Sequence, residues 1–491
     1  MSKINLNAAE VQVRENRLGS ITGFGGTAEE LVTQARNGTL EDKKRSFSQC
    51  NGCSTMIAAC TVSLIQDGVV ISHGPVGCTG CLTMFSFTYK VNSDVRNNIE
   101  SHGNRRIFTT NMEESDTVYG GNVKLAASIK EVYERIKPNV IFIITTCASG
   151  IIGDDVAGIA DETERKIGIP VVPIFCEGFR SKIWTSGFDA GYHAIARKLI
   201  KKTDTKQNDL VNIINFWGSD VFTQWFKRLG LRPNYLTPYS TVKSIGTSSQ
   251  AIATVQICPT LGSYFAAALE QEYGVPEIRV APPYGIKQTD NWFRALGKIT
   301  GKEKESEQFI KEEKERWVPE LEKIKEKLKG KTAYVTTGAA HGHSLLAILK
   351  ELGIEPIGAA MFHHDPIYDN ESVACDVLQN TVNNHGDIPN YNVCNKQEFE
   401  LVNILNRVRP DILLARHGGL TLWGAKLGIP SLLIEDEHFA MGYEGIVNYG
   451  KRIFETIEND EFVKNLEKHT INPYSKWWFE QTNPYYFLGQ E

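Results

Sequence analysis

The chain alternates between short apolar runs rich in β-branched residues and longer amphipathic segments. The apolar runs lie at residues 139–145, 171–175, 210–216, 253–257, 278–281, 332–336, 411–415 and 431–434. Segments between them, such as 155–166, 261–273 and 343–352, carry apolar residues at helical spacing. Strands that alternate with helices predict parallel sheets joined by crossover helices. The pattern therefore predicts an α/β fold that is wound repeatedly.

Length and local composition set the expected domain organisation. A chain of 491 residues predicts about three domains, at roughly 150 residues per domain. Residues 1–46 are polar and indicate an arm with one helix near 28–36, whereas the Lys/Glu-rich run at 302–329 indicates a boundary. We expect α/β domains at 47–207, 208–330 and 331–440. A last segment, 441–491, is expected to pack back on the body and to contribute to a subunit interface.

The composition is that of an ordinary soluble protein, with 41% hydrophobic residues, 23% charged residues and a net charge of −5. This acidic balance argues against a nucleic-acid surface. No apolar run approaches the roughly 18 to 20 residues of a membrane helix, and the first residues lack a signal-peptide pattern, so we expect a cytoplasmic protein. Ten cysteines in a reducing compartment predict metal ligands or buried thiols rather than disulfides. The buried class is expected to contain Cys60, Cys176, Cys375 and Cys394.

Two close cysteine pairs, Cys50 with Cys53 and Cys78 with Cys81, indicate a metal site. Thiolates in loops that contain Gly and Pro suit an iron–sulfur cluster. A structural zinc ribbon is the alternative, because two Cys-x-x-Cys units also hold zinc. The spacer at 54–77 is longer than the roughly 15 to 20 residues usual in such a ribbon, and it is strongly apolar. The sequence therefore favours iron over zinc.

Further candidate ligands follow the ends of predicted strands, where open parallel sheets bind their ligands. Cys147 and Cys258 each lie between a strand end and a predicted helix, whose first amide groups favour a thiolate. Other strand ends are followed by His341, His343, Arg416 and His417. A buried structural role is the alternative for each residue alone. Together they predict thiols and imidazoles along one rim.

Four phrases resemble the α subunit of nitrogenase component 1 in order and approximate spacing. They are Ser72-His-Gly-Pro-Val-Gly-Cys78, Thr146-Cys-Ala-Ser-Gly-Ile-Ile-Gly-Asp-Asp155, Cys176-Glu-Gly-Phe-Arg180 and Gly442-Tyr-Glu-Gly445. The resemblance covers residue 47 to the end and implies three Rossmann-like doubly wound parallel-sheet domains around a central metallocluster cleft. It implies that Cys53, Cys78 and Cys147 ligate an [8Fe-7S] P-type cluster shared with a homologous β subunit, in an α2β2 assembly. Cys50 could replace Cys53, and Cys258 matches the cysteine that holds the active-site iron–sulfur cofactor.

Departures from the family lie around that cofactor. The family's histidine ligand at the molybdenum end corresponds to Met441, and a thioether suits a hard, oxygen-chelated metal poorly. An arginine of the family is missing from the loop that here holds His341, and Tyr192 stands where the first of two histidines is found. His438 could replace the missing ligand, with a surface position beside Glu437 as the alternative. The resemblance implies an iron-only, [8Fe-9S-C]-like cofactor near Cys258, Met441, His438 and His341.

Within this superfamily the combination is similar to the catalytic α subunit of methylthio-alkane reductase. Such enzymes cleave the C–S bond of small thioethers reductively, releasing a hydrocarbon and methanethiol for methionine synthesis. The likeness implies an ATP-dependent [4Fe-4S] reductase component as partner, and proton donors among His193, Tyr192 and His364; a hydrogen-bonded structural role is the alternative for His193. Two other functions stay open: the α subunit of a cofactor-maturation scaffold, or an alternative dinitrogenase, which Met441 and Tyr192 disfavour.

Overall fold

A computed structural model of the chain describes residues 3–45, 47–49, 52–78, 107–215, 218–371, 375–434 and 436–481. The chain forms two compact units: an N-terminal unit of residues 1–17 with 52–278, and a C-terminal unit of residues 18–51 with 279–491. Among the described residues, no helix combines the length and the apolarity needed to cross a bilayer.

The strands and helices alternate along both units. The strands are β1 (Phe24–Gly26), β2 (Gly68–His73), β3 (Ile107–Thr109), β4 (Val140–Thr145), β5 (Val171–Ile174), β6 (Leu210–Ile214), β7 (Arg232–Leu236), β8 (Ala253–Gln256), β9 (Thr332–Thr337), β10 (Glu355–Met361), β11 (Tyr391–Val393), β12 (Ile412–Ala415) and β13 (Ser431–Leu433). The helices of the first half are α1 (Arg14–Leu18), α2 (Ala28–Asn37), α3 (Ser54–Ser63), α4 (Glu114–Tyr119), α5 (Asn122–Ile136), α6 (Cys147–Ile152), α7 (Val156–Ile167), α8 (Ser186–Leu199), α9 (Phe222–Leu229), α10 (Val242–Gly246) and α11 (Pro259–Tyr273). Those of the second half are α12 (Ile286–Thr300), α13 (Glu303–Leu328), α14 (Ala339–Glu351), α15 (Pro366–Glu371), α16 (Val377–His385), α17 (Glu398–Val408), α18 (Gly418–Lys426), α19 (Gly442–Glu458), α20 (Glu461–His469) and α21 (Lys476–Glu480).

The N-terminal unit contains two parallel sheets, with strand orders β3-β2-β4-β5 and β7-β6-β8. Strands β2 and β4 are buried along their whole length, as parallel strands covered by helices on both faces are. On one face Ile71 and Ile143 pack against Leu125 of α5 and Val156 of α7. Each such side chain contributes roughly 1.5–3 kcal/mol on burial. The packed sheet therefore fixes the positions at which the segments after β2 and β4 begin.

The C-terminal unit contains one six-stranded sheet of order β1-β11-β10-β9-β12-β13. All its strand pairs are parallel except β1 with β11, where Phe24 lies opposite Val393. The strand β1 comes from the polar segment expected to form an arm. Helix α2 follows it and begins at a capping box, in which Thr27 and Glu30 accept each other's backbone amide hydrogens at 3.2 and 2.9 Å. The first residues of this unit thus complete its sheet.

The parallel-sheet α/β fold predicted from the sequence is confirmed, and all predicted strands but one are present. The exception is the run at 278–281, for which the prediction is wrong. Glu277 forms an isolated bridge with Thr254, and Pro282 and Pro283 then remove the amide donors that a longer strand would need. The sequence patterns missed β7 and β10, because each contains a proline at its second position.

The Lys/Glu-rich run at 302–329 forms one long helix, α13, which packs within the C-terminal unit. It buries one apolar stripe that includes Phe309, Ile310, Leu321 and Ile324, and it packs against α12 and α19 of the same unit. Its lysines and glutamates occupy the remaining, exposed face. The proposed domain boundaries stay a prediction.

Candidate metallocluster sites

The two most specific motifs of the sequence, which contain Cys78 and Cys147, follow neighbouring strands at the same edge of one sheet. Strands β2 and β4 are neighbours, with His73 opposite Thr145, so the loops that carry Cys78 and Cys147 start side by side. Thr146 Oγ1 donates a hydrogen bond to the His73 carbonyl oxygen at 2.9 Å. A β-carbon at Gly74 would lie 2.2 Å from that same Oγ1. Only glycine therefore lets the two loops approach this closely.

Cys53 and Cys147 are brought together around Gly178. Cys53 precedes the first residue of α3, and Cys147 is the first residue of α6. A β-carbon at Gly178 would lie 3.0 Å from Cys53 Cβ, 3.5 Å from Cys53 Sγ and 3.6 Å from Cys147 Sγ. Both thiols are partly exposed. Glycine at position 178 thus lets the backbone approach both thiols closely, and a side chain there would be tight against Cys53.

The remaining cysteines of this region differ in exposure. Cys78 is exposed, whereas Cys60 and Cys176 are buried. Burial, and secondarily the neighbouring Cys53, raises the pKa of the Cys60 thiol to about 12. Burial also raises the pKa of Cys176 well above its usual range. Both stay protonated at neutral pH and are core thiols, as predicted. Cys394 is also buried and Cys375 is half-buried, while Cys50 and Cys81 lie outside the described residues.

Cys258 occupies the N-cap position of α11, with Pro259 as the first helical residue. The residue is 5% exposed. Its sulfur makes no capping hydrogen bond, and it lies at the positive end of a 15-residue helix dipole. This is the position that the sequence predicts for a thiolate ligand.

Helix α8, which carries Tyr192 and His193, packs against α11. The Tyr192 ring stacks on Phe265 with centroids 4.7 Å apart. His193 Nδ1 lies 2.7 Å from Tyr264 Oη, and His193 Nε2 lies 3.0 Å from the Ala8 carbonyl oxygen. Because a carbonyl only accepts, Nε2 carries the proton and Tyr264 donates to Nδ1. Burial lowers the pKa of His193. Proton donation to a substrate would therefore break an existing hydrogen bond.

In the C-terminal unit, His341 lies within a buried polar group at the start of α14. Arg416 and Glu437 form an ion pair, and Glu437 Oε1 lies 3.8 Å from His341 Nδ1. Tyr284 Oη donates to the Glu437 carbonyl oxygen at 2.7 Å and lies 3.5 Å from His341 Nδ1. Burial lowers the pKa of His341 to about 4 despite Glu437. His341 is thus neutral at pH 7.

Met441 and His438 belong to the same group. Met441 is 2% exposed, precedes the first residue of α19, and forms an isolated antiparallel bridge with Tyr284. His438 is 1% exposed, so the alternative that it lies on the surface is wrong. The Met441 amide donates to the His438 carbonyl oxygen at 3.1 Å. The structure therefore brings three of the predicted cofactor residues together within this unit.

His364, the remaining predicted proton donor, lies in a second histidine group of the C-terminal unit. Its ring centroid is 6.1 Å from that of His343, and His343 Nε2 lies 2.8 Å from Tyr391 Oη. Nearby, His363 Nε2 lies 3.3 Å from Asp365 Oδ2. Burial lowers the pKa of His364 to about 4. These imidazoles follow β9 and β10 at their carboxyl ends.

No three His, Cys, Asp or Glu side chains of the described ranges converge tightly enough to hold a single metal ion. The donor set of the N-terminal unit nevertheless fits a polynuclear iron–sulfur group. Two thiols flank Gly178, and a third, Cys78, follows the neighbouring strand at the same sheet edge. Cys53, Cys78 and Cys147 would hold such a cluster, and Cys258 would hold a second group.

Comparison with known proteins places these features in a family. The sequence signature of nitrogenase component 1 type oxidoreductases matches residues 53–458. This chain belongs to that family. The predicted superfamily is therefore confirmed, and with it an oxidoreductase lineage whose members bind iron–sulfur clusters.

Two groups of relatives are similar to this component 1 protein. It is 28% identical over 404 residues to the nitrogenase iron-molybdenum cofactor biosynthesis protein NifE of Methanococcus maripaludis, covering 79% of each chain. It is 30% identical over 322 residues to the nitrogenase molybdenum-iron protein alpha chain of Methanosarcina barkeri, covering 63% of this chain and 59% of that one. A solved structure, nitrogenase Cp1 at pH 5, superposes with a TM-score of 0.68 over 85% of this chain and 92% of that one, at 23% identity. The fold is thus that of nitrogenase component 1.

Several residues of these sites were not found by sequence reasoning. Gly178 belongs to the motif Cys176-Glu-Gly-Phe-Arg180, but only the folded structure shows that this glycine faces Cys53 and Cys147. Tyr284 and Glu437 carry no local signal that they surround His341. Arg416 follows a strand end, but its carboxylate partner lies 21 residues further along the chain, where no local pattern indicates the pairing.

Proposed function

We propose that this chain is the catalytic α subunit of a nitrogenase-like reductase that cleaves the C–S bond of small methylthio-alkanes. The observation that carries the proposal is the buried Met441, which forms a bridge with Tyr284, the tyrosine whose hydroxyl lies 3.5 Å from His341 Nδ1. By resemblance, this is where the family's α chains place the imidazole ligand of molybdenum. A soft thioether there suits an iron–sulfur group without a hard heterometal.

The proposed reaction takes two electrons and two protons. The C–S bond of R–S–CH₃ breaks, a C–H bond forms on R, and the sulfur leaves as CH₃SH. An ATP-dependent [4Fe-4S] reductase component is the proposed source of both electrons. An iron–sulfur cofactor, when bound, supplies electrons at low potential to a substrate that otherwise has no good leaving group.

The thiols of the N-terminal unit suit the proposed P-type cluster. Cys53, Cys147 and Cys78 would be one subunit's share of its ligands, with a homologous β subunit supplying the others. Large apolar side chains next to these loops are exposed, with Val76 at 60% and Ile151 at 74%. Exposed apolar side chains on both cysteine-bearing segments, beside an incomplete ligand set, suit the proposed contact with a β subunit.

Candidate proton donors lie in both units. His193 holds its proton on Nε2 against the Ala8 carbonyl oxygen, and Tyr192 is fully buried with its hydroxyl 3.5 Å from the Asn215 carbonyl oxygen. His364 is neutral at pH 7, because burial lowers its pKa to about 4. A neutral imidazole can donate a proton only from its N–H and must be reprotonated after each turnover.

The test is anaerobic purification with a co-expressed β subunit, followed by reductase-driven assay of methanethiol release from ethyl methyl sulfide. We expect abundant iron and equal yields of methanethiol and ethane. Cys258→Ala should abolish release while the spectrum of the P-type cluster persists, whereas Cys60→Ala, at a buried thiol on α3, should retain release. A preparation that contains zinc alone, or full activity in Cys258→Ala, would contradict the proposal.

A maturation scaffold is the second candidate, and the similarity to NifE over 79% of both chains favours it. A scaffold would also use Cys258 and would not need an imidazole at Met441. The two functions differ in what the loaded protein does. Transfer of its cofactor to an apoprotein, with no methanethiol release, would identify the scaffold.

A further inference from the structure

The first residues of the N-terminal unit lie along α8 and α11. Ile4 donates its backbone N–H to Gln271 Oε1 at 2.9 Å, near the end of α11. The Ala8 carbonyl oxygen accepts from His193 on α8. The segment therefore runs from the end of α11 towards its beginning, and Arg14 and Arg17 follow there.

Arg14 and Arg17 share one buried carboxylate. Arg14 donates from Nε to Asp189 Oδ2 at 3.0 Å and from Nη2 to Asp189 Oδ1 at 2.8 Å. Arg17 donates from Nη2 to the same Oδ2 at 2.6 Å. Arg14 and Asp189 are fully buried, and Arg17 is 5% exposed. One negative charge on α8 thus faces two guanidinium groups.

Arg17 is incompletely compensated. Within the described ranges, Asp189 is the one carboxylate that Arg17 contacts, and Arg17 Nε has no hydrogen-bond partner. Its guanidinium lies 5.3 Å from the centroid of the Tyr264 ring on α11. Glu15, the carboxylate between the two arginines, is bonded to Ser181 Oγ at 2.8 Å and to the Lys182 amide at 2.7 Å. Two buried cations that share one carboxylate keep a net positive charge. That charge favours a further negative group nearby.

Both arginines contact helix α11, whose N-cap residue is Cys258. Arg14 Nη2 also donates to the Thr260 carbonyl oxygen, two residues after Cys258 in the first turn of α11. Tyr264, beneath Arg17, lies in the second turn. Arg14 and Arg17 therefore contact the first two turns of the helix whose N-cap is Cys258, so their charge lies near the positive end of that helix.

We propose that Arg14 and Arg17 are positioning residues for the iron–sulfur group held by Cys258. Arg14 fixes the first turn of α11 through the Thr260 carbonyl oxygen, and the positive charge that the pair keeps beyond the shared Asp189 raises the reduction potential of the bound group. The inference rests on the proposed function, because it requires a redox group at Cys258. Adding an electron makes that group more negative, so nearby cations stabilise its reduced form.

The experiment is a reductive titration of the cofactor signal in the purified, loaded αβ complex, with thermal unfolding measured in parallel. Arg17→Met should shift the midpoint to a more negative potential, and Arg17→Lys, which keeps the charge, should shift it less. Asp189→Asn should shift it in the opposite direction. Arg232→Met is the matched control, because Arg232 forms an exposed ion pair with Asp209 in the same unit.

A purely structural role would lower the melting temperature in both Arg17→Met and Asp189→Asn without shifts of opposite sign. Equal midpoints in wild type, Arg17→Met and Asp189→Asn would overturn the inference while leaving the proposed function intact. A wild-type complex without any cofactor signal would instead overturn the proposed function. If Asp189→Asn fails to fold, the comparison of Arg17→Met with Arg17→Lys decides the matter.

Discussion

His73 Nε2 lies 2.9 Å from Asp154 Oδ2 and joins the two phrases that carry Cys78 and Cys147. His73 Nδ1 lies 3.0 Å from Thr110 Oγ1, which accepts the Gly74 amide hydrogen at 3.1 Å. Thr110 therefore donates to Nδ1, and Nε2–H donates to Asp154. Burial lowers the pKa of His73 even though Asp154 opposes that shift. A neutral imidazole thus holds the two cysteine loops together.

Removing Asp154 should loosen both loops. Asp154→Ala deletes the acceptor of His73 Nε2–H and of the Gly121 amide hydrogen, which lies 2.9 Å from Asp154 Oδ1. We expect a loss of about 1–3 kcal/mol in the free energy of unfolding, since buried donors stay unpaired. Urea denaturation would measure it. Asp161→Ala, at an exposed position of α7, should cost under about 0.5 kcal/mol; equal effects of the two substitutions would argue against the interlock.

Adding a methyl group at Gly178 should disturb the space beside the thiols. In Gly178→Ala the new carbon would lie 3.0 Å from Cys53 Cβ, so Cys53 must shift by a few tenths of an ångström. We expect less iron per αβ pair and a loss of about 1–3 kcal/mol in stability from overpacking. Metal analysis and thermal unfolding test this. The control is Gly246→Ala, whose nearest atom would be 3.6 Å away; unchanged iron in Gly178→Ala would count against a cluster here.

The C-terminal unit should lose stability in mild acid. Burial lowers the pKa of His341 and His364 from 6.5 to about 4 in the folded chain. Between those values the unfolded chain binds more protons, so stability falls as pH drops from 6.5 towards 4, by up to about 1.4 kcal/mol per pH unit per histidine. Above pH 6.5 these groups add no pH dependence.

Unfolding free energies measured from pH 7.5 to 5 test this behaviour. His364→Gln should flatten the decline, because its amide does not titrate. His469→Gln, at an exposed position in α20, should leave the slope unchanged. A decline that is the same in wild type and His364→Gln would show that His364 is not a source of the acid sensitivity.

The buried ion pair beside His341 should contribute far more than an exposed one. Arg416 and Glu437 are 5% and 2% exposed. Glu437→Gln removes one charge of a buried pair, which costs about 3–5 kcal/mol. In Lys350 and Glu355, paired at 2.7 Å, the glutamate side chain is 54% exposed, so Glu355→Gln should cost under about 1 kcal/mol. Chemical denaturation compares the two, and similar losses would contradict the burial argument.

Local sequence patterns predicted which residues form strands better than they predicted which strands pair with each other. The apolar runs at 140–145 and 332–337 are strands because their residues are β-branched and buried on both faces. Strand β7, Arg-Pro-Asn-Tyr-Leu, has no such pattern. It is a strand because it pairs with β6, although its composition does not favour one. Likewise, nothing in Phe24-Gly-Gly indicates that it pairs with residues 391–393.

The α/β class, the family and the residue types available for cluster chemistry could all be predicted from the chain, because periodicity, turn residues and the Cys-containing motifs are local properties. Which of those residues meet depends on the folded structure. Gly178 faces two thiols that are 94 positions apart in the sequence, and Asp189 holds Arg14 across 175 positions. Distances and burial of this kind depend on how strands and helices pack, which no short stretch of sequence encodes.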